Sequence, residues 1–106
     1  MLISTQDTIA EYEIVETFGL VRGNTIRARH VGKDILAVLR MLVGGEVTEY
    51  TKMLAESREQ AIDRMVEDAK SKGANGIVGV RFTTSGIMQG AAELLAYGTA
   101  VKLNKK

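Results

Sequence analysis

The stretch Tyr50-Thr51-Lys52-Met53-Leu54-Ala55-Glu56-Ser57-Arg58-Glu59-Gln60-Ala61-Ile62-Asp63-Arg64-Met65-Val66-Glu67-Asp68-Ala69-Lys70-Ser71-Lys72, with Gly73 behind it, decides the fold. Met53, Leu54, Ala61, Ile62, Met65, Val66 and Ala69 recur at three- and four-residue spacing, which predicts a helix over 50–72 with one apolar stripe, about 34 Å long at 1.5 Å per residue. The opposite side carries Glu56, Glu59, Asp63, Glu67 and Asp68. Asp68 and Lys72 are spaced for an i,i+4 pair, Lys70 and Lys72 suit the negative helix end, and Gly73 is a ready C-cap. One apolar stripe needs one apolar surface beneath it, and the flanking segments read as a sheet.

Downstream, Ala74-Asn75-Gly76 turns the chain into a strand by composition, Ile77 to Thr83. Ser85 to Gly90 reads as a loop and Ala91 to Leu103 as the final strand. Ala92, Ala96, Gly98 and Ala100 then share one face, small enough for a helix to approach closely. The other face carries Leu95, Tyr97, Val101 and Leu103, an apolar surface that a lone two-layer domain would leave wet. Upstream, Glu11 to Phe18 alternates polar and apolar until the pattern slips at Ile14-Val15. With Gly19 following, a bulge or bend is expected before Leu20-Val21 resume the strand. Arg22-Gly23-Asn24-Thr25 reads as a turn, and Ile26 to Val31 as a second, shorter strand.

Asp34 is a plausible N-cap for a second helix over Ile35 to Leu42, ended by Gly44-Gly45. This segment is apolar nearly all round. Covering it on several sides takes more protein than 106 residues supply, so subunit contact is expected.

That length makes one domain, 1–106. Fourteen Lys+Arg against 13 Asp+Glu leave a net charge of +1, so no global field favours nucleic acid or an anionic membrane. The longest apolar run, Ile35 to Val43, is half a membrane span and is broken by Arg40. The N-terminus carries no secretory signal pattern, and the expected location is the cytoplasm. No cysteine is present, which removes disulfides, thiolate metal ligands and a cysteine nucleophile.

Few residues can carry chemistry. Gly73-Ala74-Asn75-Gly76-Ile77-Val78-Gly79 has the glycine density of a phosphate loop but runs from helix to strand, the wrong order for a helix N-terminus to meet the anion. For a divalent metal the candidates are His30, Glu11, Glu13 and Glu16, and one His per chain suffices only if symmetry brings copies together. The basic cluster Arg22, Arg27, Arg29, His30 and Lys33 could hold a phosphate or carboxylate, but pairing with Glu11, Glu13 and Glu16 is the simpler reading. Arg40, Tyr50 and Tyr97 could line an interface pocket, since an Arg in an apolar helix needs a partner. Ser57 and Ser85 have no adjacent histidine, and Glu59 and Asp63 sit on a solvated helix face. No enzyme is nominated.

Five blocks in order, Lys33-Asp34-Ile35, Arg40 to Gly45, Tyr50, Gly73 to Val80 and Tyr97 to Val101, resemble the bacterial and archaeal YbjQ family. That family is described as putative heavy-metal-binding. The resemblance covers essentially the whole chain and implies an α+β, two-layer α/β domain related to the dodecin subunit. An antiparallel sheet would be covered by the long helix plus the short apolar one. It also implies a homopentamer. The expected function is therefore a non-enzymatic cytoplasmic homo-oligomer holding a metal ion or small ligand at subunit interfaces. The competing reading is a structural or protein-interaction module whose acidic helix face docks a basic partner.

Overall fold

The computed structural model describes residues 1–28, 47–88 and 91–106. In chain order these form β1 (Leu2–Ile3), β2 (Tyr12–Ala28), α1 (Val47–Ser71), β3 (Gly76–Met88) and β4 (Ala91–Lys105). The four strands make one sheet in the order β1-β3-β4-β2. β4 pairs antiparallel with both β2 and β3, while the two-residue β1 runs parallel to β3, so the sheet is mixed rather than wholly antiparallel.

The long helix forms where the apolar stripe predicts it. Ala61, Met65 and Ala69 are buried against Val21, Ala96 and Ala100. Gly73 has φ +86, and the amides of Gly73 and Ala74 donate to the carbonyls of Lys70 and Ala69, the Schellman arrangement that closes a helix on a left-handed residue. The turn then goes directly into the sheet. Asn75 behaves as an extra strand residue, its Nδ2 donating to the Leu103 carbonyl at 3.0 Å and its Oδ1 accepting from the Leu103 amide at 2.7 Å.

Three expectations are corrected. Arg22 to Thr25 is no turn but the middle of a continuous 17-residue strand. The reason is packing. A Cβ on Gly23 would fall on the Ala61 carbonyl oxygen and the Met65 amide nitrogen, so this glycine lets the helix backbone lie on the sheet. Gly98, expected to serve that purpose, instead makes room for Ile77 and Val80 of the next strand. Second, β3 runs on to Met88, so Ser85 to Met88 pair with β4 instead of looping.

Third, the far face of the sheet is only half open. Val78, Val101 and Leu103 are buried there with Ile9 and Tyr12 packed against them, because the chain folds its own N-terminal segment over that end. The bulges expected near Ile14-Val15 and Gly19 are present as register shifts between Ile14 and Glu16 and between Thr17 and Gly19. The short helix expected over 35–42, the end of the strand expected to reach Val31, and Gln89-Gly90 lie outside the described residues.

β2 is long enough to set the shape of the molecule. The principal extents are 55 × 22 × 16 Å and the radius of gyration is 17.4 Å, against about 13 Å for a compact domain of 100 residues.

Candidate functional site

Among the predicted metal ligands, Glu11, Glu13 and Glu16 are exposed at the start of β2. Glu13 lies opposite Asn104 and Glu16 opposite Lys102. The bulge at Val15 therefore puts these two glutamates on one face although they are three residues apart. Glu11 ends the turn before the strand, with φ +70, the one positive φ outside glycine among the described residues. Its carbonyl accepts from the Lys106 amide at 2.8 Å. His30 lies outside the described residues. No group of three or more His, Cys, Asp or Glu placed to hold a metal occurs among the described residues. Carboxylates without thiolates do not fit a soft heavy metal; the donors present suit a harder divalent ion.

The predicted basic cluster does not gather around those glutamates. Arg22 and Arg27 belong to the same strand as the glutamates, and the cross-strand neighbours of the acidic end are Lys102 and Lys105. Arg29, His30 and Lys33 lie outside the described residues, as does Arg40. Tyr50 is in α1. Tyr97 stands on the open half of the far sheet face, between Arg22 on β2 and Arg81 on β3. On the same face Leu20, 61% exposed, precedes Arg22, while Asn24, opposite half-buried Leu95 and donating from Nδ2 to Glu93 at 3.3 Å, separates Arg22 from Ile26, 60% exposed. The Arg81 Nη1 donates to the carbonyls of Thr5 at 2.6 Å and Val80 at 2.8 Å, which ties the N-terminal segment to β3.

One arrangement was not legible at all. Lys72 Nζ donates to the Leu20 carbonyl at 3.0 Å, Asp68 Oδ2 accepts from the Arg22 amide at 3.2 Å, and Arg64 Nη1 donates to the Asn24 carbonyl at 2.6 Å. Three helix residues four apart thus close three outward-facing positions two apart on edge strand β2. The spacings match because four helix residues rise about 6 Å and two strand residues about 6.6 Å. The i,i+4 spacing of Asp68 and Lys72 is real, but both serve this edge.

A family model described as “Putative heavy-metal-binding” matches residues 1–104. The chain belongs to the YbjQ family. YbjQ-family relatives include the UPF0145 protein of Methanosarcina acetivorans, 63% identical over 103 residues that cover 97% of each chain. A UPF0145 protein of Archaeoglobus fulgidus is 57% identical over 103 residues, covering 97% of this chain and 95% of the other. The fold is similar to the crystal structure of a DUF74-family protein of unknown function from Pediococcus pentosaceus, with a TM-score of 0.69, 18% identity and 98% of each chain covered. None of these descriptions carries a catalytic activity. Among the described residues no helix is long and apolar enough to cross a membrane.

Proposed function

We propose that this YbjQ-family chain is a non-enzymatic cytoplasmic homo-oligomer, a pentamer, that holds a divalent ion or small ligand where subunits meet. The observation that carries this reading is the open half of the far sheet face, where Leu20 and Ile26 are mostly exposed beside Tyr97. Leu20 and Ile26 stand on this face among Arg22, Asn24, Leu95 and Tyr97, and exposed aliphatic side chains set among polar ones on a sheet suit a surface that a neighbouring subunit covers. The elongated form supports the reading, since a chain with a 17.4 Å radius of gyration leaves much of its surface for neighbours.

The metal part rests on donor chemistry. Glu13 and Glu16 share a face, and a stable site needs three or four ligands, so copies related by symmetry, with His30, would complete it. Native mass spectrometry of the untagged chain, before and after a chelator and after adding back divalent metals, tests assembly and bound mass together. A pentamer with a stoichiometric, chelator-sensitive ion is expected. A chain that stays monomeric at micromolar concentration overturns the oligomer; a bare pentamer that takes up metal only nonspecifically overturns the metal site.

A further inference from the structure

We propose that the open sheet face receives the acidic outer face of α1 from a second copy of this chain, in a head-to-tail contact. The inference rests on the oligomer reading above and names its interface.

The two surfaces complement one another. On α1, Glu59, Asp63 and Glu67 are exposed and follow each other at four-residue spacing. Like charges at that spacing cost an isolated helix a few tenths of a kcal/mol per pair, so cations brought to them gain more than salt-bridge energy alone. On the sheet, Arg22, Tyr97 and Arg81 form one cross-strand row, with both arginines exposed. The described bonds of Arg81 use only Nη1, and a guanidinium has three further N–H donors.

The dimensions agree. Glu59 and Glu67 lie about 12 Å apart along the helix. Arg22 and Arg81 lie two strand spacings apart, about 10 Å. A helix laid across the strands would bring Glu59 and Glu67 to the two arginines and Asp63 above the Tyr97 hydroxyl, while Leu20 packs on one side and Leu95 and Asn24 on the other, with Ile26 at the rim. Carboxylate–guanidinium pairs of this kind are strong when bidentate and partly desolvated. The helix and the open face lie on opposite sides of the sheet, so the contact is heterologous, the kind that builds a cyclic ring when its rotation closes and an open filament when it does not.

The test uses the full chain and follows mass by sedimentation and native mass spectrometry, with circular dichroism confirming the fold. The set Glu59→Lys, Asp63→Lys, Glu67→Lys and the set Arg22→Glu, Arg81→Glu are each expected to weaken assembly at least tenfold. The chain carrying all five changes presents a basic helix to an acidic sheet and is expected to reassemble. The wild-type assembly should also loosen as salt is raised from 50 to 500 mM, which tests the pairing without any variant. A wild-type monomer, including one that binds only a basic partner protein, overturns this inference and the oligomer together. A wild-type oligomer indifferent to salt and to either set, or a five-change chain that folds but does not reassemble, overturns this interface alone.

Discussion

The carboxylate of Asp68 accepts the backbone N–H of Arg22 at 3.2 Å, and so occupies the middle of an outward-facing edge that would otherwise offer itself to any passing strand. Lys72 and Arg64 take the carbonyls on either side. Edge protection is commonly a matter of repelling a strand; here the helix supplies the missing partners itself.

Asp68→Ala should therefore lose about 1 kcal/mol, below the roughly 1.5–3 kcal/mol of a well-buried hydrogen bond to a charged group, because the site is only half-buried. Asp68→Asn, which keeps an acceptor oxygen, should lose less. Urea denaturation checks this through a lower midpoint at unchanged m-value. Alanine at Arg64, Asp68 and Lys72 together should also raise light scattering at high protein concentration. A triple variant as stable and as monodisperse as wild type would show that the three contacts are incidental.

Gly23→Ala is expected to be among the most damaging single-methyl changes, costing about 2–3 kcal/mol, since the added carbon meets helix backbone that cannot rotate away. Gly86→Ala is the control. It sits in the same sheet with nothing within 4 Å of the added carbon, and should be neutral or slightly stabilising. Thermal unfolding separates them readily, because 1 kcal/mol moves the midpoint of a domain of this size by about 4–8 °C.

Glu11 offers the opposite sign. With φ +70 it occupies a region costly for a residue with a Cβ, so Glu11→Gly should stabilise the fold by up to about 1 kcal/mol. A side chain kept at such a position despite the strain fits a role for its carboxylate. The same variant, assayed by titration calorimetry with a divalent ion, should bind at least tenfold more weakly if Glu11 is a ligand. Unchanged affinity would remove it from the metal site, leaving Glu13, Glu16 and His30.

How much of this could be read from the chain depended on whether the cause was local. Met65 and Ala69 announce the helix because their spacing is a property of the helix alone, and Gly73 announces its end for the same reason. The slip at Ile14-Val15 breaks an alternation visible in eight residues. Gly23 is different: beside Asn24 it has the local chemistry of a turn, and only the helix 40 residues later makes it a strand glycine. Val101 and Leu103 looked like an outer face because their cover, Ile9 and Tyr12, lies at the other end of the sequence. The site suffered most, since Arg22, Tyr97 and Arg81 come from three strands, and nothing in their separations of 75 and 16 residues hints that they share a row.

The exposed pair Leu20 and Ile26 separates folding from assembly. Neither reaches the core, so Leu20→Ser and Ile26→Ser should change the unfolding free energy of an isolated subunit by less than about 0.5 kcal/mol each. In an oligomer that covers this face, the same changes expose polar groups to a closing interface and delete apolar contact. Burying a leucine or isoleucine is worth about 1.5–3 kcal/mol, so the double variant should raise the dissociation constant by roughly 100-fold or more. Sedimentation over a concentration series, alongside urea denaturation of the dissociated chain, reads both quantities. A double variant that unfolds early would place these side chains in the fold rather than at its boundary, and one that assembles as wild type would move the interface elsewhere on the molecule.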